Sequence, residues 1–233
     1  MAPGVDQIIA RRLGLSPSVE RLLVGFMGCY AAVSALRSAM HIVRSTPGAQ
    51  VLVVTVELSS LHLNDTDDIE KLLAMLQFGD GAAAALVSDA GPGLALHDPF
   101  ALALPESEDL IRWEISDTGF LMHLSGQVPG RIAQALQDSD LANVISGGDP
   151  AAVDGWAVHA GGRSILDAVE HALNLSPDML APSRDVLREG GNMSSSTLMF
   201  VLARMMARPV RKGVALAFGP GLAAEGFRFE SIA

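Results

Sequence analysis

Only one cysteine, Cys29, stands among the 233 residues, so no disulfide can form within the chain. Such usage fits a reducing cytoplasm, the expected location. Basic residues are scarce too: 16 Lys and Arg against 26 Asp and Glu give a formal net charge of −10, which argues against nucleic acid as a partner. Long apolar runs are missing. The uncharged stretch Leu22–Leu36 has 15 residues, is broken by Gly25, Gly28 and Ser34, and is too short to cross a membrane. The opening MAPGVDQIIARR lacks the basic-then-apolar order of a secretion signal. Charge is modest at 18%, but a 49% hydrophobic content and a mean hydropathy of +0.34 exclude disorder and supply an ordinary core.

From Arg21 the chain reads RLLVGFM, GCYAAVSALRSAMHIVRS, VLVVTVEL and FGDGAAAALVS, which predict strand, helix, strand and strand. Apolar Ala32, Ala35, Leu36, Ala39 and Val43 recur at helical spacing. The β-branched run VLVVTVEL predicts a central strand covered on both faces. Pro92, Pro99, Pro105, Gly91 and Gly93 then mark residues 91–108 as a linker, dividing the chain into 1–90 and 109–233. Beyond it LIRWEIS and GFLMHLS predict a strand pair, VPGRIAQALQDSDL one helix, GWAVHAGG a strand and turn, and RSILDAVEHALNL a helix. NMSSSTLMFVLARMMARP predicts a helix, followed by strands GVALAFG and AEGFRFES. Both sides of the linker thus end in helix, buried strand, glycine turn and strand, the mark of a diverged internal duplication. The second copy has a lead-in that the first copy lacks.

Cys29 follows Gly28 at the start of a predicted helix, where unpaired backbone N–H groups favour a thiolate and lower its pKa. A lone cysteine in an apolar segment equally suits a buried structural role. His159 ends a predicted strand, the position where open α/β sheets place ligands; His41, His62, His97, His123 and His171 lack that setting. Asn192, in GGNMSSS, opens a helix and could be no more than its N-cap. Together, Cys, His and Asn at three junctions provide a nucleophile, a base and an amide donor. Papain-like hydrolases use the same residues in the same order, but Cys29 lacks their neighbouring Gln and Trp.

The segments GCYAAVSALR, FGDGAAAALV, WEISDTGFLMHLSGQVPG, WAVHAGGRSILDAVE, GGNMSSST and AFGPGLAAE make the chain resemble type III polyketide synthases, the chalcone synthase-like branch of the thiolase superfamily. Ketoacyl synthases III are a second, related possibility, but their histidine motif usually reads HQAN. The resemblance implies a thiolase-like α/β layered fold of two related halves, the first incomplete. It also implies acyltransferase chemistry on coenzyme A thioesters: Cys29 would carry the acyl starter, His159 would support its thiolate, and His159 with Asn192 would stabilise the enolate formed as malonyl-CoA decarboxylates. No metal and no further cofactor is implied, and a homodimer is expected. Phe78 matches a gatekeeping phenylalanine, Met122 replaces a second one, and His62 falls at a cavity-lining position. Ser194 and the Gly219, Pro220 and Gly221 loop would also face substrate. A non-catalytic remnant or assembly subunit of the same fold is the competing reading.

Overall fold

The computed structural model describes residues 4–63, 65, 67–117 and 119–233; Met1–Pro3, where the predicted first half and the resemblance begin, lie outside the described residues. The helices are α1 Val5–Arg12, α2 Ala31–Ser45, α3 Ile69–Leu76, α4 Val128–Leu136, α5 Ser139–Ser146, α6 Arg163–Ala172, α7 Ala181–Gly190 and α8 Ser195–Met205. The strands are β1 Val51–Glu57, β2 Gly81–Val87, β3 Gly93–Ala103, β4 Ile111–Ser116, β5 Gly119–Leu124, β6 Gly155–Val158, β7 Gly213–Gly219 and β8 Ala223–Ile232.

A four-stranded sheet in the order β3-β8-β7-β6 is the centre of the molecule. Its strand β7 is buried at every residue and pairs parallel with β6 and antiparallel with β8. The side chains alternate as a pleated strand requires. Trp156, Val158, Val214, Leu216 and Phe218 face a core shared with Ile132 and Leu136 of α4 and Leu166 and Val169 of α6. Ala157, Ala215 and Ala217 face the other way, and these short side chains let α2 and α8 approach closely. On the far side of α2 and α8 lies the antiparallel pair β1–β2, with Val53 buried in the same core. The layers therefore run α4 and α6, large sheet, α2 and α8, small sheet. The two helix–strand–strand units read as a duplication, α2-β1-β2 and α8-β7-β8, meet through their helices.

Four expectations need correction. The predicted strand RLLVGFM forms no ladder: Leu22, Leu23 and Phe26 are exposed, and Phe26 has φ +60, which breaks an extended run. A strand is stabilised by ladder pairing, and residues 21–27 belong to none of the ladders of the described residues. The predicted linker 91–108 is a strand over Gly93–Ala103, paired with β8 along nearly its whole length. Pro99 misled the reading because it sits where the register shifts between His97 and Phe100, on an edge strand, with Asp98 at φ +43; a bulge at an edge accommodates the missing N–H. The predicted helix from Val128 divides into α4 and α5, because Asp138 caps α5 by accepting from the backbone of Asp140 at 2.9 Å. Finally, β1 is covered on one face only: Leu52, Val54 and Val56 are exposed, as is Leu86 of β2.

Candidate active site

Cys29 lies in a 3-10 turn, Gly28–Tyr30, that leads directly into α2. The turn is held against the loop between β7 and β8. Tyr30 Oη donates to the carbonyl of Pro220 at 3.0 Å, and the Pro220 ring rests where a side chain on Gly28 would be. A Cβ on Gly219 would fall 2.4 Å from the Tyr30 ring, which is closer than atoms can approach. Gly219→Ala is therefore expected to cost about 1–3 kcal/mol by overpacking, seen as a drop of several degrees in the melting temperature; an unchanged Tm would refute this packing account. Gly221 has φ +74, the left-handed conformation that favours glycine.

Asn192 and Ser194 precede α8. The Asn192 backbone N–H donates to Gln77 O at 3.1 Å, and Gly79 N–H donates to Asn192 O at 2.9 Å, so Phe78 is bridged alongside Asn192. The Asn192 side chain is fixed at both ends: Nδ2 donates to Gly161 O at 3.1 Å, and Oδ1 accepts from Ser194 N–H at 2.9 Å. One of its two amide hydrogens remains outside that bond. Ser194 is held at φ +48 and ψ −129, an unusual conformation for a residue with a side chain. Its Oγ lies 3.9 Å from Cys29 Sγ.

Glu57, at the end of β1, was not singled out in the sequence. Its Oε1 accepts from the Ser195 N–H at 3.2 Å and from the Ser195 hydroxyl, so it caps α8 from another element. An acidic residue closing an otherwise apolar strand, VLVVTVE, is the one signal that could have found it.

His159 follows β6 and is held there by its N–H to Leu216 O at 2.8 Å. It is 2% exposed, and among the described residues neither ring nitrogen has a hydrogen-bond partner. Its Nε2 faces Gly161, whose carbonyl takes the Asn192 amide. Cys29, Ser194, Asn192, Gly161 and His159 thus form one continuous neighbourhood drawn from three junctions. Cys29 and His159 are not hydrogen-bonded to each other in this state.

The lowered thiol pKa expected from the sequence is reversed. Burial pushes Cys29 up to about 11; the Ser194 hydroxyl opposes this and the Glu57 carboxylate adds to it. Burial likewise pushes His159 down to about 4. A helix N-terminus favours the anion, but desolvation of the part-buried thiol outweighs it, and the His159 imidazole is neutral rather than cationic. The resting pair is therefore thiol and imidazole.

A pH consequence follows for stability. With His159 at about 4 when folded and near 6.5 when unfolded, the unfolded chain binds the proton more tightly. The contribution is complete above the unfolded value and is lost as pH falls through the folded one, on the order of 3 kcal/mol in all. Urea unfolding should weaken more between pH 7 and 4.5 in the unaltered chain than in His159→Phe; equal losses would contradict a buried neutral imidazole.

The remaining predicted positions divide. Phe78 is half-buried beside Asn192, and the Gly219–Gly221 loop braces the Cys29 turn. Met122 on β5 lies opposite Trp113 and packs against the core beneath the large sheet. His62 is exposed, with its ring 6.0 Å from that of Trp113. Among the described residues no three His, Cys, Asp or Glu side chains form a group able to hold a metal ion. No described helix is long and apolar enough to cross a membrane.

Comparison with known proteins bears on this site. Residues 1–92 match the model of the N-terminal domain of chalcone and stilbene synthases, and residues 95–233 match that of their C-terminal domain. An alpha-pyrone synthesis polyketide synthase-like protein of Mycobacterium tuberculosis, Pks18, is 38% identical over all of this chain and 62% of its own length. Type III polyketide synthase C of Arabidopsis thaliana is 32% identical over 99% of this chain and 64% of its own. The chain thus spans somewhat less than two thirds of these curated relatives. Among solved structures, PKS-I from the brown alga Ectocarpus siliculosus superposes with a TM-score of 0.92 at 36% identity, covering 100% of this chain and 66% of that one. The 1,3,6,8-tetrahydroxynaphthalene synthase of Streptomyces coelicolor gives 0.91 at 29% identity, covering 100% and 69%. The fold is that of these thiolase-like enzymes. With a family domain matched on each side of residues 93–94 and the cysteine, histidine and asparagine junctions adjoining one another, the chain belongs to the chalcone and stilbene synthase family.

Proposed function

We propose that the chain performs type III polyketide synthase chemistry, condensing malonyl-CoA onto an acyl group held on Cys29. The observation that supports it most is the run of contacts from Cys29 through Ser194 and Asn192 to the buried, unpartnered imidazole of His159. In the first step the Cys29 sulfur attacks the carbonyl of an acyl-CoA, and its proton passes to His159. The coenzyme A sulfur leaves and takes that proton, so a thioester is exchanged for a thioester. Malonyl-CoA then loses carbon dioxide; the enolate attacks the Cys29 thioester, a carbon–carbon bond forms, the carbon–sulfur bond breaks, and the released thiolate is reprotonated. The Asn192 amide and the His159 ring are the donors for the enolate oxygen, enclosed where such donors act most strongly. Coenzyme A thioesters are the substrates, no other cofactor enters the scheme, and a homodimer in the cytoplasm is the expected setting.

A second reading, a non-catalytic subunit of the same fold, draws on the exposed Leu52, Val54, Val56 and Leu86. The two are separated by incubating the purified chain with an acyl-CoA and malonyl-CoA. Starter-dependent release of carbon dioxide supports the enzyme; a folded chain that neither takes the acyl group nor releases carbon dioxide supports the subunit.

A further inference from the structure

We propose that Glu225 is a positioning residue that fixes the first turns of α2, and through them Cys29, against the β7–β8 loop. The catalytic part of this claim rests on the acyl-transfer reading; the placement of the thiol does not. Glu225 lies within β8, opposite Ala101 on one side and Ala217 on the other, and is 7% exposed. Its Oε2 accepts from Ser34 Oγ at 2.9 Å and pairs with Arg37 at 3.2 Å, while Arg37 also donates to Ser34 Oγ at 3.4 Å. Ser34 and Arg37 both belong to α2 and follow Cys29 by five and eight residues. One carboxylate therefore grips two successive turns of the helix that Cys29 leads.

The packing around it shows why a polar grip is needed. Near its start α2 buries Val33 and Leu36 in the core, while Ala31, Ala32 and Ala35 beside them allow close approach and add little interlocking. Apolar residues alone could hold the helix on the sheet as firmly, since burying an ion pair seldom adds net stability. What the carboxylate adds is one fixed rotation and height of α2. The margin at the other end is small: Ser194 Oγ reaches Cys29 Sγ at 3.9 Å from a constrained backbone, and Tyr30 and Pro220 close the turn.

The test uses Ser34→Ala, Arg37→Met and Glu225→Gln in the full chain, with three readouts: alkylation of Cys29 by iodoacetamide at pH 8, kcat and KM for malonyl-CoA with an acyl-CoA starter, and the melting temperature. Loosening α2 opens the part-buried thiol further to water, so Ser34→Ala and Arg37→Met should be alkylated about threefold faster or more. A sulfur displaced from its partners should at the same time lower kcat about tenfold or more, with KM within about twofold. Removing the Arg37 cation without movement would destabilise the thiolate and slow alkylation, the opposite sign. Alkylation that is unchanged or slower in Arg37→Met and unchanged in Ser34→Ala, with only Tm reduced, would overturn the proposal and leave Glu225 a structural ion pair. Should Arg37→Met not fold, Ser34→Ala decides, because it keeps both charges. Absence of turnover in the unaltered chain would count against the acyl-transfer reading, and alkylation would then judge the positioning claim by itself.

Discussion

Cys29→Ala is expected to abolish acyl transfer, with a loss on the order of 10³-fold or more, because no other thiol in the chain can replace the nucleophile. The substitution should be tolerated by the fold. The side-chain contact to Cys29 Sγ given by Ser194 Oγ is weak, and the 3-10 turn is fixed through its neighbours Gly28 and Tyr30. Asn192→Ala should lower condensation by about 10²–10³-fold, the usual result of losing one donor to a developing oxyanion. Unlike Cys29→Ala it should also lower stability, since the side chain bonds Gly161 O and Ser194 N–H. Mass spectrometry of the intact protein after incubation with an acyl-CoA separates the two: no adduct on Cys29→Ala, but an adduct on Asn192→Ala that is not carried forward. Equal acylation of the unaltered chain and Cys29→Ala would remove Cys29 from the mechanism.

Replacing Leu52, Val54, Val56 and Leu86 by polar residues is expected to lower self-association of the chain by a large factor, on the order of 10-fold. The reason is physical and lies in the small sheet. Among the described residues the strands β1 and β2 pair only with each other, and their outer face presents Leu52, Val54, Val56 and Leu86 to water. Leu22, Leu23 and Phe26 lie exposed in the segment leading to Cys29. An uncovered apolar face with open edges promotes association and leaves nearby turns mobile. Light scattering of the 233-residue chain should therefore show self-association that the polar replacements suppress. A monodisperse unaltered chain would show that the outer face needs no cover.

The site was more legible in the sequence than the layers around it. Cys29, His159 and Asn192 are each placed by a strand or loop ending at a helix start, and such junctions are written locally in glycine and helix periodicity. What burial does to the groups is not written locally. A helix start alone favours a lowered thiol pKa, whereas burial and the Glu57 carboxylate raise it against the Ser194 hydroxyl. Glu57 and Glu225 escaped for a related reason: each acts on a helix far away in the chain, α8 and α2 respectively, and no sequence spacing records that. The same holds for β3, whose Pro99 reads as a linker until the bulge opposite β8 is seen. The helix α7 was overlooked although Pro182 stands in its first turn and Gly190 closes it, signals of the usual kind.

The central claim is that Cys29 carries the acyl group. The most direct measurement is peptide mapping by mass spectrometry after incubation with an acyl-CoA, performed on the chain with and without the polar replacements on the small sheet. The account predicts a thioester adduct on the peptide containing Cys29, released by hydroxylamine, formed more slowly in His159→Ala and absent in Cys29→Ala. No adduct at Cys29 under either condition, or an adduct confined to other side chains, would contradict it.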